Sequence, residues 1–333
     1  MAAKRRNGLH GIVGAAAALL LALGAATPSG AQAQASFPER PIRYIIPFGP
    51  GGIADIHARI LADGLSKRFG KAVIVENKAG GFGIAAARDA LNSAPDGHTM
   101  TLFSNGTASS VSLAKNLTFD PLNDFAAVSN VVYFDFILAV GAGSPYKSLA
   151  DFIADARQSP GKLNVGTAAH GSSAYLVAEL LKQATATDFR ILTYRNASER
   201  AVALLRGDVA MLFDTYTVFK PQRENKDFRA LATTAATRTP WLPDVPTAIE
   251  SGLKDFEVTS WNGVFAHFRT PPDIVGRLNR EINAVIGNPD VVGKMREMGL
   301  EASAGTPEAL RDRFKSDIAK WARVIEAAKI APQ

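Results

Sequence analysis

The chain alternates short apolar runs with stretches in which apolar residues recur every three or four positions. Residues 42–48, 73–76 and 99–104 are short β-rich runs typical of buried strands. Residues 53–70 and 82–92 carry the spacing of one helical face. The order strand, helix, strand, helix, strand predicts a mostly parallel, doubly wound sheet.

A second series with its own turns begins after the apolar run 131–140. Helices are predicted at 148–158, 172–184 and 198–207, and strands at 163–168, 189–194, 209–214 and 228–235. The Pro-rich residues 237–247 predict a return linker, before a strand candidate at 259–268 and three final helical runs. Two such units predict a bilobed protein, with lobe 1 at 36–139 plus 257–333 and lobe 2 at 140–256.

The N-terminus has the three parts of a secretory signal peptide. Lys4, Arg5 and Arg6 precede an uncharged apolar run at 12–26, and small-x-small sites follow, ending at Ala33 or Ala35. A membrane anchor is the alternative, but this run is short and Ala/Gly-rich for a hydrocarbon core of about 30 Å. We therefore predict a signal peptide at residues 1–35, cleavage near Ser36 and a periplasmic location. The Arg5-Arg6 pair leaves twin-arginine export open beside the favoured Sec route.

Composition narrows the function classes. The formal net charge of +6 falls to +3 without the three signal cations, and no basic cluster remains, which argues against a nucleic-acid partner. The chain has no cysteine, which excludes disulfides, Fe–S clusters, thiol catalysis and Cys-ligated zinc. No later apolar stretch approaches membrane length, so a soluble mature protein is predicted.

One glycine-rich turn resembles a dinucleotide-binding fingerprint. Gly81-x-Gly83-x-x-Ala86 follows a strand and opens a helix. However, the acidic residue expected about 20 residues after the first glycine is absent from the stretch HTMTLFSNGT. These glycines are therefore predicted to let the helix start close to the sheet, and no cofactor is expected.

The turns after the predicted strands are rich in Gly, Ser, Thr and Asn. Gly51-Gly52 and Gly171-Ser172-Ser173 directly precede helices, whose free N–H groups and positive dipole ends are potential anion sites. The alternative for each turn is that glycines only shape it and serines only cap the helix. Asp55, in a first helical turn, could cap that helix or orient a water or ligand group.

Enzyme signatures are weak. The mature chain has His57, His98, His170 and His267, which form no HExxH or other metal-ligand spacing. His170 lies close to Ser172 and Ser173, but there is no G-x-S-x-G elbow and no GxxxxGK[ST] loop. No metal site and no catalytic residue are predicted.

Six segments, in order along the mature chain, resemble one family. They are the stretch from FPERPIRYIIPFGPGGIADIHARILADG to GGFGIAAA, then SAPDGHTMTLFSNGT, DPLNDFAAVS, SPGKLNVGTA, LPDVPTAIESGL and TSWNGV. The chain resembles the Bug receptors, the TctC-like extracytoplasmic solute receptors of tripartite tricarboxylate transporters. The resemblance implies an α/β, type II periplasmic-binding-protein fold, with two doubly wound lobes joined by hinge-crossing segments.

The resemblance also implies a ligand site at the turns described above. The expected ligand-binding residues are Phe48, Gly51, Gly52, Asp55, Ser104, Asn105, Gly106, Thr107, Thr167, Ala168, His170, Gly171, Ser172, Ser173, Tyr194 and Asp214. The chain departs from the usual family residues at Ala54, at Arg195-Asn196 and at His170 and Tyr175, so the identity of the ligand does not follow. Tyr175 could flank the ligand, although core packing is favoured for it.

The predicted function is therefore that of a periplasmic receptor that binds a small organic acid between two lobes. The expected partners are this acid and the membrane subunits of a tripartite tricarboxylate transporter, and the receptor is expected to be monomeric. The alternative is a secreted α/β enzyme acting on a small carboxylate.

Overall fold

The computed structural model of the chain describes residues 37–80, 83–168 and 170–332, in which strands and helices alternate. The strands are β1 (Ile42–Ile46), β2 (Val73–Asn77), β3 (Thr99–Ser104), β4 (Phe125–Asp135), β5 (Ile137–Gly141), β6 (Asn164–Thr167), β7 (Arg190–Thr193), β8 (Met211–Asp214), β9 (Phe228–Thr233), β10 (Thr259–His267) and β11 (Glu301–Ala302). The helices are α1 (Ile53–Phe69), α2 (Ile84–Leu91), α3 (Asn105–Leu113), α4 (Leu149–Gln158), α5 (Ser173–Thr185), α6 (Ala197–Arg206), α7 (Tyr216–Glu224), α8 (Pro272–Ile286), α9 (Pro289–Glu297) and α10 (Pro307–Ala327). The predicted signal peptide lies outside the described residues.

The first sheet has the strand order β11-β4-β10-β3-β1-β2. β1 pairs in parallel with both β2 and β3, as the βαβαβ pattern predicted. β10 lies antiparallel between β3 and β4, and β11 adds a short antiparallel edge. The sheet is therefore a parallel trio extended on one side by strands from later in the chain.

The second sheet repeats this arrangement with the order β7-β6-β8-β5-β9. β6 pairs in parallel with β7 and β8, while β5 lies antiparallel between β8 and β9. β5 is the first strand after the chain enters the second sheet, and β10 is the first strand after it returns to the first sheet. Both lie antiparallel to their neighbours. The two α/β units predicted from the sequence are present in this form.

The apolar run 131–140, after which the second series was predicted to begin, is divided between the two sheets. β4 ends at Asp135 in the first sheet, and β5 starts at Ile137 in the second. Only Phe136 lies between them, and it is buried. The return passes from Thr233, at the end of β9, to Thr259, at the start of β10. The exact lobe limits given above remain a prediction.

Thr234 joins the outgoing and the returning segments. Its N–H donates to Phe136 O at 2.9 Å, and its hydroxyl accepts from Phe136 N at 2.9 Å. The same hydroxyl donates to Val258 O at 2.6 Å, and Thr234 O accepts from Val258 N at 2.9 Å. Because Thr234 is fully buried, water cannot replace these bonds.

The C-terminal helix α10 packs against both units. Its Phe314 and Trp321 are fully buried in a hydrophobic cluster that also contains Leu176 of α5. Near its C-terminal end, Val324 O accepts a hydrogen bond from Gln183 Nε2 of α5 at 3.2 Å. The helix therefore contributes to a core shared by residues from both sheets.

The glycine-rich turn before α2 has the predicted structural role at Gly83. This residue precedes the helix with a φ of +86°, a conformation that glycine adopts without strain. A Cβ added here would lie 3.2 Å from Pro47 Cβ, so glycine also allows close approach to the turn after β1. Gly81 of the fingerprint lies outside the described residues.

We expect Thr234→Val to destabilise the protein by about 2–6 kcal/mol, since it leaves the buried Phe136 N–H and Val258 carbonyl unpaired at about 1–3 kcal/mol each. Urea denaturation followed by circular dichroism measures this change. Thr234→Ser keeps the hydroxyl, and we expect it to cost only about 1 kcal/mol for the lost methyl group. Equal losses in the two variants would contradict the role given to the hydroxyl.

Candidate functional site

The carboxyl ends of the parallel strands in the two sheets meet across the crossing segments. In the first sheet, Asp135 at the end of β4 pairs with Thr259. In the second, Ile137 at the start of β5 pairs with Asp214 at the end of β8. Because only Phe136 separates Asp135 from Ile137, the carboxyl edge of one sheet continues directly into that of the other. Ligands of open α/β sheets bind at this edge.

The loop after β1 is held by a buried carboxylate. Asp55, 3% exposed, accepts hydrogen bonds from Gly51 N at 2.9 Å, Arg59 Nε at 3.0 Å and Asn77 Nδ2 at 2.9 Å. The Arg59 guanidinium, helped by Gly51 and Asn77, lowers the pKa of Asp55 to about 2. These contacts fix the loop and leave the start of α1, at Gly52, without a side-chain cap.

Phe48 lies in the same loop with a partly free side chain. It is 37% exposed, and its carbonyl accepts from Asn77 Nδ2 at 3.0 Å. Gly51 has a φ of +79°, so the turn before α1 favours glycine at this position. The loop thus combines an anchored backbone with one exposed aromatic ring.

The residues after β3, predicted as a turn, start a helix. Ser104 caps α3, since its hydroxyl accepts from Gly106 N at 3.1 Å, and its own N–H donates to Thr107 Oγ1 at 3.3 Å. A run of Gly, Ser and Thr gave no helical stripe, but the capping box and burial against neighbours stabilise the helix. Asn105 is 1% exposed, and its Oδ1 has no hydrogen-bond partner in the described part of the chain.

The loop after β6 ends at the start of α5. Thr167 is fully buried and donates to Ala168 O at 3.0 Å, and Gly171 has a φ of +74°. Ser172 caps α5 by accepting from Tyr175 N at 3.3 Å, and Ser173 is the first helical residue. The two loops that start α1 and α5 therefore lie on the carboxyl edges of different sheets.

Tyr175 has the packing role favoured from the sequence. It is 9% exposed within the hydrophobic core, and burial raises its pKa to about 12. The His170 ring lies 4.4 Å from the Tyr175 ring, centroid to centroid. His170 is half-buried and lies next to the start of α5.

Tyr194 and Asp214 are anchored to the second sheet. Tyr194 N donates to Thr167 O at 3.1 Å, and its ring packs against the hydrophobic cluster that contains Ile137. Asp214 forms a buried ion pair with Arg200 and accepts from Thr215 N at 2.8 Å. Burial raises the pKa of Asp214, and the Arg200 guanidinium opposes that shift.

One cavity among the described residues lies away from these loops. It has a volume of about 610 Å³ and is lined by residues 133–135 and 235–241, by residues 257, 259 and 313, and by residues 292, 296 and 300–302. None of the sixteen predicted site residues lines it. Sequence reasoning missed this cavity, although an aspartate within the apolar run VVYFDFILAV was a signal of a buried polar group.

The described residues contain no group of three His, Asp or Glu side chains arranged to hold a metal ion. His57 is fully buried, with Nε2 2.8 Å from Asn262 Oδ1, and burial lowers its pKa to about 4. This histidine is therefore a neutral part of the first sheet's packing.

No helix in residues 37–80, 83–168 and 170–332 has the length and apolar character needed to cross a bilayer.

Comparison with known proteins gives one consistent family. The model of the tripartite tricarboxylate transporter family receptor, TctC, matches residues 57–330. Protein BugT of Bordetella pertussis (strain Tohama I) is 32% identical over 292 residues, which is 87% of this chain and 90% of BugT.

Two solved structures with ligands are similar along nearly their whole length. Rpa4515 of R. palustris, solved with adipate, has a TM-score of 0.80 and 32% identity, covering 89% of this chain and 100% of that one. MatC from Rhodopseudomonas palustris, with bound malate, has a TM-score of 0.76 and 30% identity, covering 87% and 100%. The predicted periplasmic-binding-protein fold is confirmed.

We expect Asp55→Asn to loosen the loop after β1, because an amide replaces a charged acceptor of several donors. The loss of stability should be about 1–3 kcal/mol at neutral pH, measured by urea denaturation, with faster proteolysis near Gly51. Since the pKa of Asp55 is depressed, the stability that its carboxylate contributes is fully present at pH values above the ordinary pKa of a carboxyl group. The contribution disappears as the pH falls through about 2.

Asp63→Asn is the matched control on the same helix. Asp63 pairs with Lys67 at 2.7 Å, but both side chains are exposed, so a change of at most about 0.5 kcal/mol is expected. Equal effects of the two substitutions would remove the special role of Asp55.

Proposed function

The chain belongs to the tripartite tricarboxylate transporter receptor (TctC) family, and on that basis we propose that it captures a small organic acid between its two sheets and presents it to the membrane subunits of such a transporter. The resemblance to Bug and TctC receptors noted in the sequence is confirmed. Relatives of the same fold were solved with adipate and with malate, which are both carboxylates. This supports a carboxylate as the ligand class.

The observation that carries this proposal is the pair of helix starts on the two carboxyl edges. α1 begins after Gly52 without a side-chain cap, and α5 begins after Ser172. First-turn N–H groups have no intrahelical partners, and the helix dipole favours negative charge at this end. We assign one carboxylate of the ligand to one of these starts and a second polar or carboxylate end to the facing sheet.

The remaining predicted residues divide into contact and positioning roles. Phe48 is 37% exposed, the Asn105 amide oxygen has no hydrogen-bond partner among the described residues, and His170 is half-buried. We propose that these three residues contact the ligand. Asp55 and Asp214 are each paired with an arginine of their own unit, so we assign them to holding the loops.

This division also answers how an acid receptor tolerates carboxylates near its site. The Asp55 charge is balanced by Arg59, and that of Asp214 by Arg200. Repulsion of an anionic ligand is therefore reduced. The two carboxylates also hold the loops, and the loops fix the direction of the backbone N–H groups. We infer that an arginine neutralises the carboxylate near the ligand on both sides of the cleft.

We propose that the protein works in the periplasm as a monomer after removal of residues 1–35, and that it releases its ligand unchanged. Members of this family are receptors, which supports binding over catalysis. N-terminal sequencing of the exported protein would test the cleavage site.

The carboxylate requirement is testable by calorimetry. Acids including adipate and malate are titrated first, and the tightest binder is then compared with its neutral amide. Since a hydrogen bond to a charged group contributes about 1.5–3 kcal/mol, the amide should bind about tenfold to a hundredfold more weakly per bond lost. Equal affinities would rule out recognition at the helix starts, even if binding itself remained.

Hinge closure on the ligand is the second expected outcome. We propose that lobe 2, extended from the predicted 140–256 to include all of β5, moves against the rest about the segments at Phe136 and Thr234. Small-angle scattering should report a smaller radius of gyration with saturating acid. The acid at about 100 times its dissociation constant should also stabilise the fold by about 2.7 kcal/mol. The amide serves as the control, and superimposable scattering curves at proven saturation would contradict closure.

A further inference from the structure

The 610 Å³ cavity lies on the opposite side of the crossing strands from the proposed acid site. In the first sheet the loops of the acid site follow β1 and β3, whereas the cavity is lined by β4 and β11 beyond β10. In the second sheet the acid-site loops follow β6 and β8, whereas the cavity is lined by residues 235–241 after β9. We call it the hinge cavity, defined by residues 133–135, 235–241, 292, 296 and 300–302.

Several polar atoms of its lining residues are buried without a partner in the described part of the chain. They are Asp135 Oδ2, Thr239 Oγ1 and Trp241 Nε1. Asp135 is 5% exposed and Thr239 is 8% exposed. Buried polar groups in folded proteins nearly always have partners, so these three atoms are available to hydrogen-bond a polar ligand in the cavity.

The charged residues of the lining are not equivalent. Arg238 pairs with Glu250, and Arg313 pairs with Asp317 and donates to Thr259 O, so both are engaged within the protein. Arg296 and Glu301 line the same cavity and have no side-chain hydrogen bond or ion pair within the described ranges. Glu257 also lines the cavity, and its carboxylate accepts from Thr259 Oγ1 at 3.3 Å. Among the described residues, Arg296 and Glu301 are therefore the lining charges without a side-chain partner, beside the buried carboxyl of Asp135.

The other lining residues supply apolar surface. Tyr133, Phe134 and Trp241 contribute aromatic rings, and Val292 and Leu300 contribute aliphatic groups. A volume of 610 Å³ falls within the range of about 300–1,000 Å³ found for small-molecule sites. An occupant that satisfies this lining needs a positive group, a negative group and an apolar body.

We propose that the hinge cavity is a second ligand site, separate from the acid site, for a small zwitterion of the α-amino-acid type. The ammonium group is assigned to Asp135 and Glu301, and the carboxylate to Arg296 and the indole N–H of Trp241. The apolar side chain is placed against the aromatic lining. Burial raises the pKa of Asp135 to about 7, as expected for a buried carboxyl without a cationic partner among the described residues.

The test uses full-length mature protein labelled with 5-fluorotryptophan. The chain has three tryptophans, and Trp261 and Trp321 are fully buried, so the Trp241 fluorine signal is assigned with Trp241→Phe and the other two serve as references. The probes are L-phenylalanine, 3-phenylpropionate, which lacks the ammonium group, and 2-phenylethylamine, which lacks the carboxylate. We expect L-phenylalanine to shift the Trp241 signal saturably and each truncated probe to bind at least about tenfold more weakly.

Matched variants test which charged residue binds each charged group of L-phenylalanine. Arg296→Gln should weaken L-phenylalanine by at least about tenfold, whereas Arg280→Gln, at an exposed position on α8, should not. Asp135→Asn should weaken L-phenylalanine but not 3-phenylpropionate. Asp55→Asn, in the acid site, should leave the Trp241 response to L-phenylalanine unchanged, which separates the two sites.

Three results would overturn the proposal. One is the lack of a saturable Trp241 shift with millimolar L-phenylalanine. Another is equal binding of 3-phenylpropionate and L-phenylalanine, which would mean that the ammonium group is not recognised. The third is equal affinity of the Arg296→Gln and Arg280→Gln variants. None of these results depends on whether the acid site binds its own ligand.

Discussion

The hydrogen bonds of Thr234 are the constraint on which the arrangement of the two sheets depends. Its backbone and hydroxyl engage both Phe136 and Val258, so the outgoing and returning segments are tied at one residue. With a single residue between β4 and β5, the two carboxyl edges cannot separate far. Such a short, fully hydrogen-bonded connection favours rotation of the sheets about the crossing over their independent movement.

The same crossing divides the space between the sheets. On one side, the loops after β1, β3, β6 and β8 form the proposed acid site. On the other side, β4, β11 and the segment after β9 form the hinge cavity. Asp135 lies next to Phe136, and residue 235 follows Thr234, so a ligand in the cavity would contact both crossing segments. Each site therefore adjoins the same hinge while using different residues.

The candidate loops are held by the same kind of contact in both units. A buried carboxylate paired with an arginine of its own unit braces each side, through Asp55 and Arg59 in one case and Asp214 and Arg200 in the other. The C-terminal helix α10 adds a contact across the units through Gln183 and Val324. The proposed closure thus involves loops held by these pairs and a helix that packs against both units.

The sequence by itself determined the elements whose signals are local. Apolar periodicity located most strands and helices, and the ordered family segments identified the fold and the receptor class. Only tertiary structure decided that residues 131–140 are divided at Phe136, since the two halves pair with strands distant in sequence. It also decided that residues 105–113 form a helix, because capping and burial outweigh a weak local pattern. The role of Asp55 depends on its contact with Asn77, and the hinge cavity is formed by three separate segments. No local sequence pattern encodes contacts between residues so far apart in the chain.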